Sequence, residues 1–563
     1  MIDVLRAVAA LLRRVNLALY NSGASQTKHL KNHPVLDSSM SSLKRLASLI
    51  QRKIHPVKPL NSSVLDEVQT MLGDARVGET LIAQCEREMG SPAKALNTEI
   101  HPADQMLTHS VRVLENANQS VSQYFCVALQ QYRAMKGMLD LAFPQGLGDK
   151  LILDFACGYG RALRFLVQSY PAGQIWASDI QEDAATFVKD QFGVNALVSD
   201  AEPENFRPGR KFQFIWVASL FTHLPERLFR AWLIRLHELL TDDGYLVFSV
   251  HDESILPAGR LVPKNGFLFQ PESEIAELDS AVYGTTHVSE SYVRSVFTQG
   301  LGRQENAYLR IPRGLADQQD LYVVPRGQTS LERFSAYRQG PWGWVELALA
   351  NGASQDAPTA QVCLTGWAKS LDRVPGQDPS VDSVYAEVDG VRYQARLGIA
   401  RPDIAAMWGG DFVHYGWELR FPGVRAKSSF VTVYAQLSTG ERGLIYMGIL
   451  NLNALLELAP WGYLDATVFD NGALHLGGWA SASKGRKIIK VSTNIDGTTF
   501  EAKLGRIRSD VCDALGDQGY LNSGWDIHVP ADKVCNKAID ISVIAQADDG
   551  ETKTLFKGLV QPS

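Results

Sequence analysis

The sequence predicts a multidomain chain: a helical N-terminal region, a doubly wound α/β domain and two all-β sandwich repeats. Three observations carry that expectation. Apolar, strand-like runs alternate with helical patterns over residues 151–251, the order that a parallel sheet covered by helices requires. A glycine-rich turn, Cys157-Gly158-Tyr159-Gly160, separates the first of those strands from the helix after it. Beyond residue 340 the composition turns to Gly, Val, Asp and Trp, and the sequence repeats itself at an offset of about 110 residues.

Composition sets the outer bounds. At 563 residues the chain exceeds a single core, and three or four domains are expected. With 45% hydrophobic and 21% charged residues it has the make-up of a soluble globular protein. A formal net charge of -6 argues against a nucleic-acid partner held through a broad basic face. The six cysteines (Cys85, Cys126, Cys157, Cys363, Cys512 and Cys535) form no CxxC pair and no Cys/His ligand spacing. Neither a metal site nor a disulfide framework is therefore indicated, and the cytosol is the default compartment.

In chain order, residues 1–100 read as helices joined by polar stretches such as 21–31. Leu5, Val8, Leu12, Val15 and Leu19 line one face of a first helix that carries Arg6, Arg13 and Arg14 elsewhere. That pattern suits packing on the protein itself or, alternatively, peripheral contact with the inner face of an anionic membrane. Asp3 and the Arg13-Arg14 interruption do not suit a secretion signal. No apolar run reaches the roughly 18 residues of a membrane span.

The α/β domain is expected over residues 101–328. Helical spacing in Val121, Phe125, Leu129, Tyr132 and Met135 gives a cover helix that leads into the first strand. Strands are expected at 151–156, 174–180, 196–200, 212–220 and 244–251. The clearest helix between them spans 225–240, with Pro225 at its first turn and Phe229, Trp232, Leu233, Leu236 and Leu240 on one face. Ligands of such sheets bind outside the carboxyl ends of the strands, so the residues that end each strand are the candidates.

The first strand ends in Asp154-Phe155-Ala156-Cys157-Gly158-Tyr159-Gly160. Bare backbone lets a ligand come close, and glycine tolerates the positive φ of a tight turn. A dinucleotide fingerprint would need glycine at position 163, where Leu163 stands, and no GK[ST] phosphate loop occurs. The second strand ends in Asp179-Ile180, where a carboxylate can accept hydrogen bonds from both ribose hydroxyls of a nucleoside. The third ends in Asp200-Ala201, and the fourth in Ala218-Ser219-Leu220-Phe221-Thr222-His223-Leu224.

The acidic-x-Ala-x-Gly-x-Gly turn resembles motif I of class I S-adenosylmethionine (SAM)-dependent methyltransferases, with Ala156 in place of the commoner first glycine. The ordered segments 214–226 and 244–251, then Tyr283-Gly284-Thr285-Thr286-His287, residues 319–324 and Asp104-Gln105-Met106, are similar to a bacterial methyltransferase family found among glycan and cell-envelope genes. The resemblance spans about residues 100–325. It implies a Rossmann-like domain with SAM as cofactor, held by Asp154, Ala156, Cys157, Gly158, Tyr159, Gly160, Asp179, Ile180, Asp200, Ala201 and Ser219. Asp200 and Ala201 would read the adenine, and Ser219 would lie beside the reacting centre.

Methyl transfer to a hydroxyl is helped by a base that takes the proton. Three histidines stand near strand ends: His251, the first choice because it closes the fifth strand, then His223 and His287. No Asn/Asp-Pro-Pro-aromatic motif of base-amino methyltransferases occurs, which lowers the nucleic-acid alternative further.

The repeats are expected at 340–452 and 453–563. Gly366-Trp367-Ala368 returns as Gly478-Trp479-Ala480, Asp389-Gly390 as Asp496-Gly497, and Gly416-Trp417 as Gly524-Trp525. Alternating runs that end in Asp-Gly point to antiparallel hairpins and sandwiches of immunoglobulin-like size. They resemble Gly-Trp-Ala modules appended to bacterial glycan enzymes, and their tryptophans suit core packing better than sugar stacking.

The expected function is methyl transfer from SAM to oxygen, on a small-molecule, sugar or surface-glycan acceptor. The alternative is a catalytically silent scaffold whose sandwiches bind glycan or protein. Residues 1–330 are expected to fold and bind SAM without the repeats.

Overall fold

Strand β1 (Ile152–Phe155) is the axis of the α/β domain, and all four of its residues are buried, as suits an apolar run without alternation. In the computed structural model it pairs in parallel with β2 (Ile175–Asp179) on one side and β4 (Phe212–Val217) on the other. Adding β3 (Asn195–Val198) and β5 (Leu240–Asp252) gives the order β3-β2-β1-β4-β5. The chain thus switches sides between β1 and β4, which opens a crevice at their carboxyl ends. The structure describes residues 62–560 except 257–259, 272–281, 303–306, 328–329, 352–358, 373–378, 402–403, 405–413, 425–427, 452–459, 471, 483–485, 496, 516–517, 535–538 and 549. The basic amphipathic helix expected near the N-terminus lies outside the described residues.

Strand β5 is longer than the sequence pattern implied, and it carries two partners. Its stretch Tyr245 to Val250 pairs antiparallel with β9 (Gln319–Pro325), which in turn pairs with β8 (Leu309–Leu315). Its end, His251 and Asp252, pairs in parallel with His287 and Val288 of β7 (Thr285–Val288), and β6 (Phe267–Gln270) completes a hairpin. His287 therefore sits inside a strand. The helix that follows, α8 (Glu290–Ser295), starts at Ser289, whose hydroxyl accepts from the Tyr292 amide.

The further helices of this part among the described residues are α1 (Ser62–Leu72), α2 (Ala75–Met89), α3 (Gln105–Leu114), α4 (Ala117–Ala142), α5 (Leu163–Ser169), α6 (Glu182–Phe192) and α7 (Glu226–Glu238). Asp74, Asp104 and Asn116 cap α2, α3 and α4 by accepting from backbone amides of the first turn. Phe229, Trp232, Leu233 and Leu236 of α7 pack under β1, β4 and β5 as their spacing requires. Helix α4 buries the expected Val121, Phe125, Leu129, Tyr132 and Met135, but also Tyr124, Cys126, Ala128, Met138 and Leu139. A helix buried on more than one face has neighbours on more than one side.

The second neighbour is the first sandwich. Its sheets are β10-β11-β15-β14 and β13-β12-β16-β17, built from β10 (Pro341–Asn351), β11 (Thr359–Ser370), β12 (Val381–Val388), β13 (Val391–Gln394), β14 (Arg396–Ile399), β15 (Gly416–Val424), β16 (Ser428–Leu437) and β17 (Arg442–Asn451). Contacts cross the expected boundary near residue 330. Buried Lys369 is ion-paired with Asp317, and Arg133 of α4 donates to the carbonyls of Gln339 at 3.1 Å and Arg442 at 2.9 Å.

The second sandwich repeats the topology with β18 (Trp461–Asp470), β19 (Ala473–Ser481), β23 (Gly524–Val529) and β22 (Lys503–Arg506) in one sheet. The other holds β21 (Thr498–Glu501), β20 (Ile488–Ile495), β24 (Ile539–Ala547) and β25 (Thr552–Val560). The repeated Gly-Trp pairs have a packing cause. A Cβ on Gly366 would fall 2.7 Å from Cζ2 of Trp417, and one on Gly478 2.5 Å from Cζ2 of Trp525, and both rings are buried. Trp417 and Trp525 lie in the two sandwich cores, and Trp367 and Trp479 are buried as well, Trp479 in a separate cluster with Trp461 and Val511.

Candidate active site

The turn after β1 takes left-handed backbone at Ala156, Gly158 and Gly160, with φ of 62°, 53° and 72°. At Gly160 glycine is required twice, because an added Cβ would also lie 2.5 Å from Phe192 and 2.9 Å from Val188 of α6. At Gly158 an added Cβ would meet nothing within 4 Å; the backbone there faces open space. Ala156 holds the same backbone region without being glycine, at a cost of about 1–2 kcal/mol.

Asp179 clips the turn in place. Its Oδ2 accepts from the Gly158 amide at 2.8 Å and its Oδ1 from the Gln181 amide at 3.0 Å. Each oxygen keeps a lone pair for a ligand. The Tyr159 hydroxyl donates to Asp183 at 2.7 Å, and its ring stacks on His101 with centroids 4.5 Å apart.

These groups line a cavity of about 310 Å³ at the carboxyl ends of β1, β2 and β4. Of the residues expected to bind a cofactor, Asp154, Ala156, Cys157, Gly158, Tyr159, Asp179, Ile180, Asp200, Ala201 and Ser219 lie on its wall, while Gly160 packs against α6. Of the three histidines, His223 lines it; His251 and His287 do not. Sequence reasoning missed several wall residues: Arg161, directly after the glycines, Gln131 of α4, Trp216, Trp232 and Leu228 under the floor, and Val282 and Tyr283 at the mouth.

The electrostatics of the wall are unusual at Asp154. Its side chain is buried, and no described residue gives it a hydrogen bond or an ion pair. Burial, with nearby Asp179, pushes its carboxyl up to about 7. Asp179 is also raised by burial, against the pull of the Gln181 and Gly158 amides. Arg161 is the one cation among the described residues of the wall. Its Nε donates to the Tyr124 carbonyl at 3.0 Å and its Nη2 to the Gln123 carbonyl at 3.3 Å. Asp104, by contrast, is satisfied by the Met106 amide at 2.9 Å and the Tyr124 hydroxyl at 2.7 Å. Asp200 is exposed and accepts from the Glu202 amide at 2.8 Å, which helps hold its carboxyl below the ordinary range.

Near the mouth, Ser219 adopts φ of 63° and its amide donates to Ser249 Oγ at 2.8 Å. Gln319 donates to Ser219 Oγ at 2.9 Å. His223 and Gly284 exchange bonds: the Gly284 amide donates to the His223 carbonyl at 2.8 Å, and His223 Nδ1 lies 2.7 Å from the Gly284 carbonyl. That carbonyl fixes the proton on Nδ1 and makes Nε2 the acceptor nitrogen. Tyr283 stacks on the same ring with centroids 4.5 Å apart.

His251 is mostly buried against His287, with ring centroids 5.2 Å apart and Nδ1 without a partner. Burial and its neighbouring histidines lower its pKa to about 3, and burial lowers that of His287. A ring so weakly basic is a poor proton acceptor near pH 7. Of the three histidines expected from the sequence, His223 is the one on the cavity wall. No group of three or more potential metal ligands occurs among the described residues.

Residues 152–244 match the family model of a methyltransferase domain. The malonyl-(acyl-carrier protein) O-methyltransferase of Bacteroides fragilis is 23% identical over 188 residues, 33% of this chain and 34% of that protein. The enzyme of the same name from Geobacter sulfurreducens is 30% identical over 144 residues, 25% of this chain and 53% of that one. The chain thus spans between about a third and about half of the length of these curated relatives. Among solved structures, an S-adenosylmethionine-dependent methyltransferase from Clostridium acetobutylicum aligns at 12% identity over 35% of this chain and 91% of that one, with a TM-score of 0.26.

Proposed function

We propose, from the methyltransferase domain at residues 152–244, that this chain is a SAM-dependent O-methyltransferase acting on a hydroxyl of a sugar, free or within a surface glycan. The observation that carries the donor is Asp154, a buried carboxylate on the cavity wall without a partner among the described residues. It calls for a cationic ligand group, and Arg161 on the same wall calls for an anionic one. The amino-acid end of SAM has both. Asp179 would take the ribose hydroxyls with its remaining lone pairs, Ile180 would pack on the base, and Asp200 and Ala201 would meet its edge. When bound, SAM supplies an electrophilic methyl group.

The protein's part is to orient and to handle a proton. His223, with its Nδ1 proton held by Gly284, offers Nε2 to the proton of an acceptor hydroxyl. Placing that oxygen in line with the donor supplies much of the remaining acceleration. Charge supports an uncharged acceptor. With Arg161 committed to the donor, the described wall holds no second cation for an acidic one, and Gln105, Gln131 and Tyr283 are neutral. The curated relatives are named for malonyl-(acyl-carrier protein), an acidic acceptor; the absent second cation favours the hydroxyl. The Gly-Trp-Ala repeats, similar to modules of glycan enzymes, add sequence support for the glycan class.

Mass spectrometry of envelope glycans from cells with and without the protein tests the acceptor. A methyl group missing from one sugar is the expected outcome. Unchanged glycans together with a lost malonyl methyl ester would move the assignment to the acidic acceptor, and SAM binding with no transfer to any acceptor would favour the silent scaffold.

A further inference from the structure

Strand β17 is the last strand of its sheet, so its outer edge carries backbone groups that need partners. Helix α4 supplies them with side chains. Asn118 Nδ2 donates to the Ile449 carbonyl at 2.9 Å, and the Ile449 amide donates back to Asn118 Oδ1 at 2.8 Å. The Met447 amide donates to Ser122 Oγ at 3.2 Å. The spacing explains the fit: four residues of helix rise about 6 Å, close to the roughly 6.6 Å between alternate residues of a strand.

The carbonyls that follow Ser122 are those of Gln123 and Tyr124, and both accept from Arg161 on the cavity wall. Farther along the same helix Gln131 lines the cavity, and Arg133 is fastened to the carbonyls of Gln339 and Arg442. The cavity-facing span of α4 is thus anchored in the sandwich at both of its ends. Among the described residues no helix makes these bonds to the second sandwich. In the matching register Met447, fully buried, is replaced by exposed Lys557 on β25.

We propose that the first β-sandwich is a working part of the methyl-donor site, with Asn118 and Ser122 as positioning residues that set Arg161 through the backbone of α4. The inference rests on the SAM reading of the cavity. It assigns the two repeats different roles: the first holds the donor site in shape, and the second is free for another task.

The test is calorimetric binding of S-adenosylhomocysteine (SAH) to the full chain. Asn118→Ala and the milder Ser122→Ala should each weaken SAH about three- to tenfold. Leu364→Ala, a fully buried core position of the same sandwich, serves as the control. It should lower Tm and leave SAH affinity at the wild-type value. Combined with Arg161→Lys, the Asn118→Ala loss should be less than additive, because both act on one guanidinium. Wild-type affinity in both α4 variants, full additivity, or an equal loss in Leu364→Ala would each overturn the positioning role. A wild-type chain that binds no SAH would remove the donor reading itself, and this inference with it.

Discussion

Replacing Asp154 by asparagine should make the ligand-free protein more stable and its cofactor weaker. The carboxyl is pushed from its ordinary value of 3.8 to about 7, which corresponds to about 4 kcal/mol of unfavourable charge burial when fully ionised. The group is raised, so the folded state binds the extra proton. Its penalty is absent below about pH 4, grows between pH 4 and pH 7 as the unfolded carboxyl ionises first, and is complete above about pH 7. A carboxamide cannot ionise and should remove that pH dependence. Thermal unfolding of the ligand-free wild type and Asp154→Asn should therefore diverge with rising pH, with the variant more stable by several degrees at pH 8 and equal near pH 4. Because the amide offers only a neutral acceptor to a cationic group, SAH affinity at pH 8 should fall about ten- to a hundredfold, or about 1.5–3 kcal/mol. A variant less stable than the wild type at pH 8, or one that binds SAH equally well, would rule out Asp154 as a buried charge awaiting a cationic ligand group.

Other outcomes follow from the same geometry. Asp179→Ala should weaken SAM about ten- to a hundredfold, since it removes both the clip on Gly158 and the ribose acceptor; calorimetry on the folded variant checks it. His223→Ala should cut turnover on the true acceptor by about a hundred- to ten-thousandfold with SAH affinity nearly intact. His251→Ala should keep the wild-type rate, because that ring lies off the wall; a selective loss of turnover there would return the base role to it. Gly478→Ala should lower the unfolding temperature of the full chain by forcing a methyl against the Tyr463 carbonyl and Trp525, and a wild-type melt would remove the packing explanation of the repeated glycines.

The parallel strands and the glycine turn were legible because short apolar runs such as 151–153 followed by glycines have one low-energy reading when flanked by helical periodicity. The repeats were legible because Gly366 and Gly478 are fixed in both copies by the same close approach of a neighbouring-strand carbonyl, Trp344 or Tyr463, and of an indole. The β6–β7 hairpin was not, since its strands are four residues each and lie in a stretch without clear alternation. That hairpin bears on the histidines: β7 pairs with the end of β5, so ending a strand did not bring His251 to the cavity wall. Arg161 stood in plain view beside the glycines, but the carbonyls that orient it come from α4, nearly forty residues earlier. The second buried face of α4 was hidden for the same reason, because its partner strand lies more than three hundred residues away in sequence.

The most direct measurement is transfer of an isotopically labelled methyl group from SAM by the full chain, offered envelope extract from cells that lack the protein. Label is expected on a sugar as a base-stable methyl ether, lost in His223→Ala and retained in His251→Ala. Label released by mild base as a methyl ester, or no label in any fraction despite SAM binding, would contradict it.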